Sequence, residues 1–104
     1  MNHKYQILQL NESNEELLRD KSFISWEELQ TIGGFDINDY KVVYTGEVET
    51  TEFYNFFEIL DGLFCTFNRH HPEDYKGHSL SMSDVVILDG ITWYCDTFGW
   101  KEVQ

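Results

Sequence analysis

The feature that most limits what this chain can fold into is a stripe of large apolar residues near its middle. Six of them recur at offsets of 0, 3, 4, 7, 11 and 14, the spacing of one helix face, namely Phe53, Phe56, Phe57, Leu60, Phe64 and Phe67. Thr50 or Thr51 can cap this helix, and Glu52 would lie near the positive end of its dipole. The pattern predicts one long helix that supplies the main packing surface of the core.

Two segments in the first half of the chain have the pattern of β-strands. Residues 5–10 alternate in a way that suits a short strand with one face better buried than the other. Residues 40–44 are β-branched and aromatic, and Gly46 is expected to end the strand that they form. Between these strands, Ser25 and Glu28 have the spacing of a capping box. We therefore predict a short helix over residues 26–32, ended by the glycine pair at 33–34.

The second half of the chain carries the signature of a β-hairpin. Residues 80–88 and 91–95 are rich in β-branched and aromatic side chains, and Asp89-Gly90 between them is a strong turn signal. Residues 98–103 then predict a turn and an edge strand. Together these elements predict an α+β fold, a small antiparallel sheet of about four to five strands with a C-terminal hairpin, packed by one long and one short helix. Residues 1–104 are expected to form a single domain.

The charge of the chain limits its partners. Seven Lys and Arg residues against nineteen Asp and Glu residues give a net charge of −12, and thirteen of the acids lie within residues 11–61. Such a protein repels nucleic acid, anionic membranes and acidic substrates, so direct binding to nucleic acid or membranes is not expected. No apolar segment is long enough for a membrane span or a signal peptide, which predicts a cytoplasmic protein. Cys65 and Cys95 are expected to be free thiols.

The polar segment from residue 68 to residue 84 is the place to look for chemistry. Its three histidines and two carboxylates near residues 70–78 suggest a metal site, but their spacing matches no regular ligand set, so we expect neither a metal nor a cofactor. Ser79, Ser81 and Ser83 would share one face if they lay on a strand, yet the segment lacks a nucleophile elbow. We therefore predict that the segment is mainly architectural, with side chains that bind backbone groups.

The same segment resembles the signature of YodL-like domains. The resemblance rests on Phe67-Asn68 followed by His71-Pro72-Glu73-Asp74-Tyr75-Lys76-Gly77-His78-Ser79-Leu80-Ser81-Met82-Ser83-Asp84-Val85-Val86. Residues 40–46 before it and 93–100 after it extend the likeness over nearly the whole chain. The resemblance implies a small α+β domain of Firmicutes mobile elements, with no established general activity. It carries over no catalytic residues, only signature positions, which are Asn68, His71, Asp74, His78, Ser79, Ser81, Ser83 and Asp84.

The resemblance and the charge together lead to one functional hypothesis. A free-standing acidic domain of a mobile element is similar in context to anti-defence inhibitors, so we expect a non-enzymatic inhibitor that binds a basic host protein, such as a Cas nuclease, in competition with nucleic acid. The expected contact residues are Glu12, Glu15, Glu16, Glu27, Glu28, Asp36, Asp39, Glu47, Glu49 and Glu52.

Two alternatives stay open. The first is an accessory interaction or regulatory domain of conjugative-element machinery, which would use the histidine-rich and serine-rich segment as its working surface. The second is an enzyme that uses His71, Asp74, His78 and Ser79. The sequence leaves the target and the oligomeric state unspecified.

Overall fold

The computed structural model describes residues 1–51 and 54–104. The chain folds around a β-sheet. Within these residues, five antiparallel strands run in the order β2-β1-β3-β4-β5, which confirms the α+β fold class. The strands are β1 (Asn2–Leu10), β2 (Tyr40–Glu49), β3 (Val85–Leu88), β4 (Ile91–Asp96) and β5 (Gly99–Val103). The helices are α1 (Glu15–Lys21), α2 (Trp26–Thr31) and α3 (Phe56–Arg69).

Helix α3 covers one face of the sheet. It buries Ile59, Leu60, Leu63 and Phe67 against a cluster that includes Tyr5, Ile7, Val86, Leu88 and Trp93. The predicted stripe is therefore only partly correct, because Phe57 and Phe64 are 52% and 36% exposed. These two rings lie at the flank of the helix and contact Trp93 and Trp100. The side of the helix that faces the sheet carries Ile59 and Leu63, and the predicted aromatic stripe did not include these two residues.

The start of α3 also differs from the prediction. Asn55 is its N-cap and accepts a hydrogen bond from the amide of Glu58, so neither Thr50 nor Thr51 has that role. An amide side chain one residue before the first helical turn satisfies a backbone donor that a more distant threonine could not reach. Phe53, which we placed on the helical stripe, and Glu52 lie outside the described residues.

Helix α2 packs on the opposite face of the sheet. Its Leu29 joins Leu8, Val85 and Tyr94 in a second buried cluster. The predicted capping box is confirmed, because Ser25 and Glu28 each satisfy a backbone amide of the other. Helix α1 was not predicted. It begins after the N-cap Asn14, and none of its seven residues is buried.

The strands differ from the predictions in three places. Strand β1 begins at Asn2 and pairs with β2 and β3. Residues 7–10 are all buried, so both faces of the strand are covered toward its C-terminal end. Strand β2 continues to Glu49 instead of ending at Gly46. Gly46 is needed for packing, because a Cβ there would lie 2.6 Å from the Tyr5 hydroxyl. Residues 79–84 form turns and irregular backbone, so the predicted strand begins only at Val85.

The C-terminal hairpin is as predicted. Asp89 and Gly90 form its two-residue turn, with φ angles of 50° and 84°. Both angles are positive, as the right-handed twist of a two-residue hairpin requires. Strand β5 follows at the sheet edge.

In the described residues, no helix is long and apolar enough to cross a membrane.

Candidate functional site

The expected acidic contact residues do not share one surface. Glu47 and Glu49 lie near the end of β2, whereas Asp39 immediately precedes its start. Nine steps along an extended strand cover about 30 Å, so these carboxylates lie at opposite ends of the sheet. Glu52, the tenth residue of the set, lies outside the described residues.

Three of these carboxylates are already engaged in ion pairs. Glu12 contacts Lys41 at 2.8 Å, and Asp39 contacts Lys21 at 2.8 Å. Glu49 lies 3.1 Å from the N-terminal amine. The hydrogen bond and the positive charge of Lys41 hold the pKa of Glu12 below its ordinary value.

Two further acids shape the backbone. Asp36 caps the 3-10 turn Ile37–Asp39 by accepting a hydrogen bond from Asn38, and Glu28 belongs to the capping box of α2. Substitution of Glu28 would thus change the structure as well as the charge. The other expected contact residues in the described part of the chain are exposed and have no hydrogen-bond partner there, namely Glu15, Glu16, Glu27 and Glu47.

Two exposed aromatic side chains lie beside the acidic helices. Phe98 is 97% exposed in the turn between β4 and β5. Phe23 is 64% exposed in the link between α1 and α2, with a φ angle of 58°. A positive φ is strained for an aromatic residue, so the surrounding structure must hold Phe23 in place. We call Phe23, Phe98 and the segments that carry them the aromatic corner.

Hydrogen bonds join the parts of the aromatic corner. The amide of Phe23 donates to Ser83 Oγ at 3.2 Å, and the amide of Trp26 donates to Asp96 Oδ1 at 2.9 Å. Glu27 and Phe98 both line a small surface hollow, together with Ser25, Asp96 and Thr97. The corner therefore presents an exposed aromatic ring next to a free carboxylate.

A second polar cluster lies at the other side of the sheet, beyond the C-terminal end of α3. Gln9 of β1 donates to the backbone carbonyl of His78 at 2.9 Å and accepts from the His78 amide at 3.1 Å. The side-chain nitrogen of Gln9, Nε2, also lies 3.2 Å from Tyr75 Oη and from Asp84 Oδ2. We call Gln9, Tyr75, His78 and Asp84 the loop network. It fixes the irregular segment 70–84 to β1.

The signature residues of this segment mostly bind backbone groups. Asn68 at the end of α3 forms two hydrogen bonds with the backbone of Leu80, which closes the loop onto the helix. Asp84 accepts from the Ser81 amide at 2.9 Å. Ser83 adopts a φ angle of 84°, and its Oγ accepts a hydrogen bond from the Phe23 amide. Ser81 and Ser83 therefore have roles in turns, and the shared serine face that a strand would provide does not form.

The four residues of the enzymatic alternative are not assembled into a catalytic arrangement in the described residues. His71 Nδ1 lies 3.0 Å from the Pro72 carbonyl, and His78 Nδ1 lies 2.7 Å from the Ser79 carbonyl. The Ser79 hydroxyl has no hydrogen bond to either imidazole within the part of the chain that the structure covers. Asp74 is exposed. Burial of the Tyr44 phenol raises the pKa of Tyr44, and the negative charge of Asp74 raises it further.

Asp84 is the most perturbed carboxyl group of the loop network. Its residue is 2% exposed, and this burial raises its pKa from 3.8 to about 6. The hydrogen bonds from Ser81 and the positive charge of His78 oppose the effect of burial. The imidazole of His78 is exposed to solvent, with Nδ1 at 3.9 Å from Asp84 Oδ2.

The cysteines and the possible metal ligands are dispersed. Cys65 is exposed and Cys95 is buried, and both are free thiols. Burial raises the pKa of Cys95 to about 12, which makes it a poor nucleophile at neutral pH. Among residues 1–51 and 54–104, no three His, Cys, Asp or Glu side chains come together as a metal site.

The model of the YodL-like domain matches residues 4–104. The chain belongs to the YodL-like domain family. No curated protein and no solved structure matches it.

In this YodL-like domain, the sequence pattern did not indicate Gln9, Phe23 or Phe98 as members of these clusters. Gln9 lies on a strand whose alternation gave no reason to expect a buried amide, although a Gln among apolar residues was a possible signal. Phe98 and Phe23 were not singled out, because an isolated aromatic residue in a short link gives no indication of exposure. The acidic helix surface and the aromatic corner thus form the candidate functional site, and the loop network supports the fold.

Proposed function

We propose that this YodL-like domain is a non-enzymatic, cytoplasmic inhibitor of a mobile element or phage. It binds a basic, nucleic-acid-binding host protein, of which a Cas nuclease is one example, and competes with nucleic acid for the basic surface. The observation that carries the proposal is the exposed Phe98 ring beside the free carboxylate of Glu27. An aromatic anchor next to acidic side chains fits a partner that presents Lys or Arg around an apolar pocket.

The charge of the helical region supports this proposal. Residues 12–39 contain eight acidic and two basic residues, and both basic side chains contact acids of the same region. This leaves an excess of carboxylates on and around α1 and α2, where Glu15, Glu16 and Glu27 are exposed. Carboxylates form charge-assisted hydrogen bonds with the same Lys and Arg groups that hold phosphates.

The aromatic corner supports a specific contact in addition to charge attraction. A fully exposed Phe has no role in the core, and burying such a side chain at an interface contributes about 1.5 to 3 kcal/mol. Asp96 and the Phe23–Ser83 hydrogen bond fix the neighbouring backbone, so part of the entropy cost of binding is already met in the free protein.

The test compares two variants with equal changes in net charge. The first variant, E15K/E16K/E27K, alters the helical surface. The control, E47K/E73K/E102K, alters exposed carboxylates elsewhere. With the partner captured from a host lysate and then purified, we expect the first variant to slow association about tenfold or more and the control to have a much smaller effect.

The same measurements decide between the hypotheses. Binding should weaken steeply as salt increases, since exposed charges are screened over about 8 Å at physiological ionic strength. Nucleic acid should displace the inhibitor, and F98S should accelerate dissociation. Equal effects of both charge variants would refute the proposal. A conjugation-machinery partner that binds nucleic acid and the domain simultaneously would favour the accessory-domain alternative.

A further inference from the structure

A surface cleft lies at the loop network. It has a volume of about 730 Å³ and lies between α1, the start of β2 and the loop around Gly77. Polar residues of its lining include Gln9, Glu12, Lys41, Lys76 and His78. Leu10, Leu18, Val42 and Val43 supply an apolar wall. A cleft of this size with an apolar wall and a few polar groups is typical of a small-molecule site.

The cationic lining of this cleft contrasts with the rest of the protein. The whole chain has only seven Lys and Arg residues against nineteen acids, yet Lys41 and Lys76 both line the cleft with His78. Lys76 is exposed and forms no ion pair within residues 1–51 and 54–104. Two ammonium groups and an imidazole favour an anion that carries more than one negative charge.

The imidazole of His78 is held in a defined orientation. Its Nδ1 lies 2.7 Å from the Ser79 carbonyl, so this nitrogen donates the hydrogen bond. The second ring nitrogen, Nε2, has no partner in the described part of the chain, and it donates a hydrogen bond to an anion when the imidazole is protonated. A ring nitrogen fixed by a backbone carbonyl is a common way to orient a binding histidine.

The backbone beside His78 is also preorganised. Gln9 binds both the amide and the carbonyl of His78. A Cβ on Gly77 would lie 2.5 Å from Gln9 Oε1, so the loop approaches the strand as closely as only glycine allows. Because these contacts within the chain fix the backbone of the cleft, a ligand needs to order little of it on binding.

The carboxylate of Glu12 already binds Lys41 in the cleft. The two charged groups are 2.8 Å apart, although the Glu12 side chain is 77% exposed. A phosphate group carries more charge than this carboxylate and can replace it on Lys41 while Glu12 moves into solvent. The net charge of −12 disfavours polyanions and anionic membranes much more than one small anion.

We propose that this cleft binds a small organic phosphate monoester, with its phosphate on Lys41, Lys76 and His78 and its organic part against the apolar wall. The cleft meets α1 through Leu18, whereas the acidic surface of the proposed function uses Glu15, Glu16 and Glu27, which do not line the cleft, so either proposal can be correct without the other. A ligand here would also stabilise the loop network, because it binds only the folded arrangement.

The test uses AMP as the phosphate monoester, adenosine as the matched uncharged compound, and a 5′-phosphorylated oligonucleotide as a polyanion. Binding is followed by amide chemical shifts in NMR titrations of the full chain. We expect AMP to shift residues 41 and 76–78, and adenosine to bind about tenfold or more weakly, since a charge-assisted hydrogen bond contributes about 1.5 to 3 kcal/mol. Equal binding of AMP and adenosine, no AMP binding at millimolar concentration, or tighter binding of the oligonucleotide than of AMP would overturn the proposal.

Two pairs of charge-matched variants sharpen the result. K76Q should weaken AMP binding about tenfold, whereas K101Q on β5 removes the same charge and should have little effect. E12Q should tighten AMP binding severalfold, because it releases Lys41 and removes a repulsive charge, and E102Q is its control. Melting temperatures verify that all four variants fold. If each variant behaves like its control, the cleft does not bind the phosphate as proposed.

Discussion

Gln9 Nε2 lies 3.2 Å from Asp84 Oδ2, so a buried amide on β1 meets a buried carboxyl group immediately before β3. The two residues are 75 positions apart in sequence. Their contact brings the loop of residues 70–84 to β1. Because both side chains are 2% exposed, the contact lies in a region where an unsatisfied polar group is costly.

The first prediction concerns Asp84 and pH. Burial raises its pKa from 3.8 to about 6, so the folded state retains a proton that the unfolded chain releases between these values. The stabilisation from Asp84 is therefore complete below about pH 4 and is lost as the pH rises through about 6. In urea unfolding, the parent protein should be about 1 to 2 kcal/mol less stable at about pH 7.5 than at about pH 5 because of Asp84, and D84N should lack this difference.

The comparison is between the two proteins at each pH, because all other titrating groups are common to both. Asp89, whose pKa is lowered chiefly by its hydrogen bond with His3, acts below this pH window and affects both proteins equally. Parallel pH profiles for D84N and the parent would show that Asp84 does not titrate as the structure requires.

The elements that the sequence could predict are those whose signals are local. The Asp89-Gly90 turn and the Ser25–Glu28 capping box each depend on a few adjacent residues, and both are present. The family resemblance also covers the chain as expected. Such features need no knowledge of distant contacts.

The features that the sequence missed depend on partners far along the chain. Gly46 was expected to end a strand, but it is required because the Tyr5 ring lies over it. The serine segment has a strand-like alternation, yet the carboxylate of Asp84 binds the Ser81 amide and stabilises a turn. Helix α1 has only two apolar residues and an N-cap, which is too weak a pattern to separate from a loop.

In the candidate site, too, local signals were predictable and contacts between distant residues were not. Composition gave the excess of acids, but pairing with Lys21 and Lys41 could not be predicted from spacing, and neither could the separation of Glu47 from the helices. The aromatic corner depends on the contact between α2 and the end of β4, which only the tertiary structure reveals.

The second prediction compares two glycines. G77A should destabilise the protein by about 1 to 3 kcal/mol, because its Cβ would lie 2.5 Å from Gln9 Oε1 and 2.6 Å from Tyr75 Oη. G62A, in the middle of α3, meets no atom of the described residues within 4 Å and should stabilise the protein by about 0.5 to 1 kcal/mol. Urea unfolding measures both. A G77A protein as stable as the parent would mean that the loop is not closely packed on β1.

The third prediction separates the two sides of α3. Leu60 is fully buried, so L60A should cost about 2 to 5 kcal/mol through the lost packing and the cavity that remains. Phe64 is 36% exposed at the flank of the helix, and F64A should cost about 1 kcal/mol despite removing a larger side chain. Similar losses of unfolding free energy for both variants would contradict the observed orientation of the helix.

The last prediction tests whether the aromatic corner can be altered without loss of folding. D96A should destabilise the protein by about 1 to 3 kcal/mol, because the carboxylate accepts hydrogen bonds from the amides of Trp26 and Thr97. F98S should change stability by less than about 0.5 kcal/mol, since its ring is 97% exposed. Thermal and urea unfolding check both values. If F98S destabilised the protein as much as D96A, the Phe98 ring would have a packing role, and the proposed docking surface would lose its anchor.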